Sequence, residues 1–178
     1  MKLKEIKKKI KIPEGITVEM EDTTIKIKGP KGENSKKILE KAIEIKKEND
    51  MITVKSIKLN KNGKRAVGTI ASLIKNLVSG VCSGYEYKLK ICSGHFPMNV
   101  SVAGKDVVIK NFLGEKHPRK CTVKGNVELQ LNKEIISVKG VNKEEVGQAA
   151  ATIEQLTRIT NRDRRIFQDG IYITSKND

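Results

Sequence analysis

The sequence predicts an α+β protein made of two tandem homologous domains, residues 1–81 and 82–178, each a small, mostly antiparallel sheet covered by one helix. Three observations lead there. The chain aligns with itself at a constant offset of 84 residues. Ile and Val outnumber Leu by 36 to 10, and β-branched side chains suit a pleated surface better than a helix. Each copy still contains one stretch of apolar residues spaced three and four apart, the signature of a single amphipathic helix. Ile, Val, Leu and Phe make up 49 of the 178 residues, about 28%, above the roughly 20% below which highly charged chains stay disordered. Two small cores are therefore expected.

In the first copy, Ile12 to Lys26 reads as a strand, a turn at Asp22 and a second strand. Phe96 to Lys110 reads the same way around Asp106, with Pro13 over Pro97, Val18 over Val102 and Ile25 over Ile109. Gly29-Pro30-Lys31-Gly32 is a turn, where Pro presets φ and Gly tolerates a positive one. It lacks the spacing of a phosphate-binding loop. A further hairpin follows in each copy, Ile43 to Val54 around a polar turn at 48–50 and Val127 to Val138 around Asn132-Lys133. The first helix is marked by Val67, Ile70, Leu73, Ile74, Leu77 and Val78, with Gly80 as its stop. The second is marked by Val146, Ala149, Ala150, Ile153 and Leu156, with Asn142 as N-cap and Glu145 as its capping-box partner. Near the end, Asp169-Gly170 reads as a turn between apolar residues, with Phe167 and Tyr172 as packing anchors.

Charge narrows the function. Thirty-six basic residues against 21 acidic ones leave a net charge of +15. A chain this small repels itself at that charge, and a polyanion relieves the repulsion. Only six aromatic side chains and no Trp are present, too few for a platform that stacks single-stranded bases, so phosphate and shape are the expected handles. The three cysteines, Cys82, Cys92 and Cys121, are odd in number and irregular in spacing, which fits a reducing compartment and no disulfide framework. The start lacks the apolar run of a signal peptide, and no segment reaches the ~18 apolar residues of a transmembrane span.

Both halves are basic, but five of the six arginines lie in the second. Four of them, Arg158, Arg162, Arg164 and Arg165, fall within eight residues after the second helix. Arginine forks grip phosphate with paired hydrogen bonds, so this spacing suits a backbone clamp; helix-dipole compensation would account for one or two such charges, not four. A second basic segment, Lys110 to Lys120, contains Gly and Pro and reads as an exposed loop with Lys110, Lys116, Arg119 and Lys120 available to phosphate. Lysines at 7–9 and 36–37 are explained equally well as guards on edge strands. Cys92-x-x-His95 and His117-x-x-x-Cys121 have the spacing of zinc ligands, but they have no counterpart in the first copy, and buried Cys is common as a small hydrophobe. Cys82 between Gly80 and Gly84 imitates a nucleophile elbow, but a helix rather than a strand leads into it. No catalytic residue, metal or cofactor is expected.

The stretch Gln155 to Ile173, with Lys176 after it, resembles the C-terminal signature of a universal family of large-subunit ribosomal proteins, numbered six in bacteria and nine in eukaryotes. Gln155, Ile159, Arg162, Arg165, Phe167, Asp169, Gly170, Ile171, Tyr172 and Lys176 fall on signature positions. His95 to Asn99 and Asn111 to Lys116 are similar to the archaeal and eukaryotic branch. The resemblance runs end to end. It implies a duplicated α+β fold and a cytoplasmic, non-catalytic constituent of the large ribosomal subunit, a monomer within the ribosome. It implies binding to large-subunit ribosomal RNA near the sarcin–ricin loop and the factor-binding region, beside neighbouring ribosomal proteins, with no membrane and no small-molecule substrate. The second domain and its tail would be the main grip, through Lys110, Asn111, Lys116, Arg119, Lys120, Arg158, Arg162, Arg164, Arg165 and Lys176. The competing reading is a stand-alone basic RNA-binding module or a ribosome-assembly factor.

Overall fold

In the computed structural model, residues 6–21, 23–40, 42–48 and 51–177 are described. The chain divides into two compact units, residues 1–83 and 84–178. The division falls at the end of the first helix, which reaches Cys82, four residues beyond Val78.

The first unit runs β1 (Lys7–Lys11), β2 (Thr17–Glu21), β3 (Thr24–Gly29), β4 (Gly32–Lys37), β5 (Ile43–Glu48), β6 (Met51–Ser56) and α1 (Lys61–Cys82). Its strands form two antiparallel three-stranded sheets, β1-β6-β5 and β2-β3-β4. The expected hairpins are β2–β3 and β5–β6, although Asp22 and residues 49–50 of their turns lie outside the described residues. Each hairpin gains an edge strand, marked in the sequence only by its lysines. β1 buries only Ile10 and β4 only Asn34, so neither shows apolar alternation. The lysine runs sit on these edges, where charge discourages further pairing. The Pro30-Lys31 turn joins β3 to β4 and docks on the end of α1, where the Lys31 N–H donates to the Val81 carbonyl at 3.0 Å. A Cβ on Gly29 would lie 2.9 Å from that same oxygen, so the close approach requires glycine.

Helix α1 covers both sheets with Val67, Ile70, Ala71, Ile74, Leu77 and Val81, all buried. The Asn60 side chain caps it, accepting from the Gly63 N–H at 2.7 Å. Gly80 is not its stop. That glycine is buried within the last turn, and the left-handed residue that lets the chain leave is Gly84, at φ +76°.

The second unit runs β7 (Tyr85–Cys92), β8 (Asn99–Ala103), β9 (Asp106–Lys110), a single 3-10 turn (Phe112–Gly114), β10 (Arg119–Thr122), β11 (Val127–Asn132), β12 (Ile135–Gly140), α2 (Lys143–Leu156) and β13 (Gly170–Asn177). The sheet β8-β9-β10 repeats β2-β3-β4, and β7-β12-β11 repeats β1-β6-β5. The second copy adds β13, antiparallel on the free side of β7. Its core joins Tyr85, Tyr87 and Leu89 of β7 to Val107 and Ile109 of β9, Ile136 and Val138 of β12, and Val146, Ala150 and Ile153 of α2.

Asn142 caps α2 by accepting from the Glu144 N–H at 3.0 Å. The reciprocal half of the capping box is redirected. Glu145 accepts instead from the Asn142 side-chain amide at 3.2 Å and from the Asn126 N–H at 2.5 Å, tying the helix start to the loop before β11. Asp169-Gly170 is not a hairpin turn either. Gly170 opens β13, opposite Cys92, and the Asp169 carboxylate turns inward to meet backbone N–H groups more than seventy residues earlier in the chain.

Candidate nucleic-acid interface

Two basic loops lie in the second unit. The first links β9 to β10. Asn111, Leu113 and Gly114 take left-handed backbone angles (φ +59°, +50° and +79°), which curl the loop around the Phe112 ring, only 1% exposed. The Asn111 amide donates to the Pro97 carbonyl at 2.9 Å, so this residue shapes the loop. Lys110, Lys116 and Lys120 stand exposed around it.

Arg119 is the pivot. Its Nε and Nη2 donate to the two Glu115 oxygens at 2.8 and 2.6 Å, and its Nη1 donates to the carbonyls of Leu156 and Arg158 at 2.8 and 3.2 Å. The guanidinium also lies 4.3 Å from the Phe112 ring centroid. Four of the five N–H groups of the fork are thereby engaged. The hydrogen bonds from Arg119 hold the Glu115 carboxyl below its usual range, partly opposed by burial. Arg119 thus joins the first basic loop to the second, which the sequence showed only as two separate segments.

The second loop, residues 157–169, leaves α2 and returns as β13. Both ends are fastened. The Thr157 hydroxyl donates to the Glu154 carbonyl at 3.1 Å and accepts from the Ile171 N–H at 2.9 Å. The Glu154 carboxylate accepts from the Ile173 N–H at 3.1 Å. Between these ties, Arg158, Arg162, Arg164 and Arg165 are all exposed. Asp163 organises the bend: its carbonyl accepts from Ile166 and Phe167 N–H groups, and its carboxylate takes the Arg165 side chain at 2.9 Å. That bond lowers the Asp163 pKa and raises that of Arg165. The Arg162 guanidinium lies 4.8 Å from the Phe167 ring centroid. On β13, Lys176 is exposed and its ammonium lies 5.8 Å from the Tyr87 ring centroid.

Behind the arginines sits a group the sequence reading did not assemble. Asp169, 3% exposed, accepts from the Gly94 and His95 N–H groups at 2.5 and 2.9 Å and from the His95 ring Nδ1 at 2.6 Å. Burial pushes this carboxyl up, but the hydrogen bonds from His95 and Gly94 outweigh it and the pKa is lowered. The His95 ring stacks on Phe167, centroids 4.7 Å apart. Phe167 is therefore half-buried, between imidazole and guanidinium, and not a fully enclosed anchor. A cleft of about 880 Å³ opens here, its cationic lining made of Lys90, Arg164 and Arg165. Only the Asp-Gly pair gave a local signal for this cluster, and it signalled a turn. Among the described residues, no three His, Cys, Asp or Glu side chains converge as metal ligands would, and Cys82, Cys92 and Cys121 are free thiols.

Fold and site together define a basic, internally duplicated α+β protein whose second copy joins two cationic loops through one arginine. The family model described as ribosomal protein L6 matches residues 12–84 and again 96–170, beginning at the same two residues, Ile12 and Phe96, from which the internal repeat aligns. A protein of Methanothrix thermoacetophila named large ribosomal subunit protein uL6 is 43% identical, covering 98% of this chain and 99% of the relative. Proteins of the same name are 45% identical in Methanosarcina mazei, over 98% of this chain and 99% of the relative, and 43% identical in Desulfurococcus amylolyticus, over 97% and 96%. The chain belongs to the ribosomal protein L6 family.

Proposed function

We propose that this protein is a structural, non-catalytic constituent of the cytoplasmic large ribosomal subunit, gripping ribosomal RNA close to the sarcin–ricin loop and the factor-binding region. Family membership and the name shared by its relatives support the ribosomal role. The observation that carries the RNA grip is the joining of the two cationic loops by Arg119. The exposed Lys110, Lys116, Lys120, Arg158, Arg162, Arg164, Arg165 and Lys176 meet phosphates, releasing counterions, while Asn111 and Arg119 hold the loops that present them. A-form RNA offers a narrow major groove that side chains do not enter, so recognition rests on shape and phosphate, as suits a chain with few aromatics. Neighbouring ribosomal proteins would contact the remaining surface.

Reversing Arg162, Arg164 and Arg165 together to Glu tests this. The variant should be lost from the large-subunit peak on sucrose gradients while keeping its melting temperature. Undiminished co-sedimentation through moderate salt would reject the arginine loop as a clamp.

A further inference from the structure

We propose that His95 is a positioning residue for the RNA grip: anchored by Asp169, it sets Phe167 and, through that ring, the guanidinium of Arg162 before RNA arrives. This rests on the RNA-binding reading above and names a residue outside the cationic loops themselves.

The buried Asp169 carboxylate is fixed by two backbone N–H groups, from Gly94 and His95, at the end of β7. Its second oxygen takes His95 Nδ1 at 2.6 Å. An ionised carboxylate only accepts, so Nδ1 carries the proton and the imidazole plane is set. That plane forms the wall on which Phe167 stacks, at an interplanar angle of 28°. Arg162 rests on the same Phe167 ring. Arg162 lies midway along a thirteen-residue segment without helix or strand, 157–169, whose ties to the fold are at its ends. The Phe167 ring, two residues before Asp169, gives mid-loop Arg162 a support beyond the loop's own ends. A guanidinium already oriented surrenders less freedom when it meets phosphate than one that is loose.

The test uses the full chain and protein-free archaeal large-subunit RNA as probe, with affinity read across roughly 0.1–0.4 M salt, where counterion release is measurable. His95→Ala should weaken binding about five- to ten-fold and lower the salt slope by about one, the increment of a single phosphate contact. Arg162→Ala should do the same, and the double variant should be no worse than either single one, because both remove one contact. His95→Phe, which keeps the stack and loses the hydrogen bond, should recover part of the affinity. Phe167→Leu breaks the stack without touching the His95–Asp169 pair and should couple to Arg162→Ala in the same way, whether or not the His95 variant folds well. A protein merely destabilised would lose affinity with an unchanged salt slope, additively with Arg162→Ala, and that result overturns the proposal. So does wild-type affinity in His95→Ala. If the wild-type chain binds this RNA no better than an unrelated RNA of equal length, the RNA reading itself falls, and this inference with it.

Discussion

Arg119 was expected from the sequence to face phosphate, but its surroundings make it a structural tie, and truncation separates the two roles. Arg119→Ala removes a forked pairing with Glu115, two hydrogen bonds to carbonyls at the end of α2, and a contact with the Phe112 ring. The Glu115 pairing adds little, at most about 1 kcal/mol, because the Glu115 side chain is 40% exposed and water screens it. The shorter carbonyl bond, at 2.8 Å from a charged donor, is of the kind that contributes about 1.5 kcal/mol or more. The longer one, at 3.2 Å, contributes less. The ring contact adds about 0.5 kcal/mol. About 3 kcal/mol is lost in all, and at roughly 4–8 °C per kcal/mol for a unit of this size the second unit should melt about 12–24 °C lower. Circular dichroism or calorimetry on the whole chain reads this directly. Arg119→Lys keeps the charge but cannot reproduce the fork, so it should recover only a small part. Glu115→Gln should cost no more than about 8 °C. A melting temperature within about 3 °C of wild type for Arg119→Ala would refute the tie and return Arg119 to the surface.

Three further outcomes follow from packing and charge. Gly63→Ala places a Cβ 2.1 Å from the Lys58 carbonyl oxygen and should destabilise the first unit by at least about 1–3 kcal/mol, the usual range for overpacking, whereas Gly68→Ala meets nothing within 4 Å and should stabilise α1 by about 0.5–1 kcal/mol; equal urea midpoints for the two variants would discard the steric account. Phe112→Ala should cost about 3–5 kcal/mol because the ring is 1% exposed although it sits in a basic loop, while Phe96→Ala, at 45% exposure, should cost far less in the same melt. Asp169 has a folded pKa below its ordinary value of 3.8, so its contribution is complete above that range and disappears as pH falls through the lower, folded value. Denaturant midpoints should therefore drop on acidification below about pH 4 more steeply for wild type than for Asp169→Asn, and parallel curves would show that Asp169 carries no such linkage.

The duplication was legible because it is written twice, and a coincidence of Pro, Asp and Ile at one offset is hard to obtain by chance. The helices were legible because their burial follows the three-and-four spacing of the apolar residues, from Val67 to Val78 and from Val146 to Ile153. What escaped were elements whose stability comes from a neighbour. β4 reads Gly-Glu-Asn-Ser-Lys-Lys and forms only because β3 offers it a ladder, and β10 likewise continues a basic loop until β9 pairs with it. In the site, the exposed cations were readable as composition, but the groups that aim them were not. His95 and Asp169 are 74 residues apart, and Arg119 reaches Leu156 across 37, so no local pattern announces either contact.

β13 explains why the arginines gather in one copy only. In the first unit, the order β1-β6-β5 leaves β1 at an edge, guarded by lysines, and the unit ends with its helix. In the second, the chain continues past the helix and must come back to fill that position beside β7. The return creates a loop whose two ends are fixed by Thr157 and Glu154 to β13, and by Asp169 to the end of β7. Closing a loop on a folded sheet removes most of the chain entropy that four like-charged side chains would otherwise exploit to drift apart. Mutual repulsion then no longer scatters the arginines, and their charge stays concentrated. One added strand converts the same α+β unit from a lysine-studded fold into one that displays an ordered arginine loop.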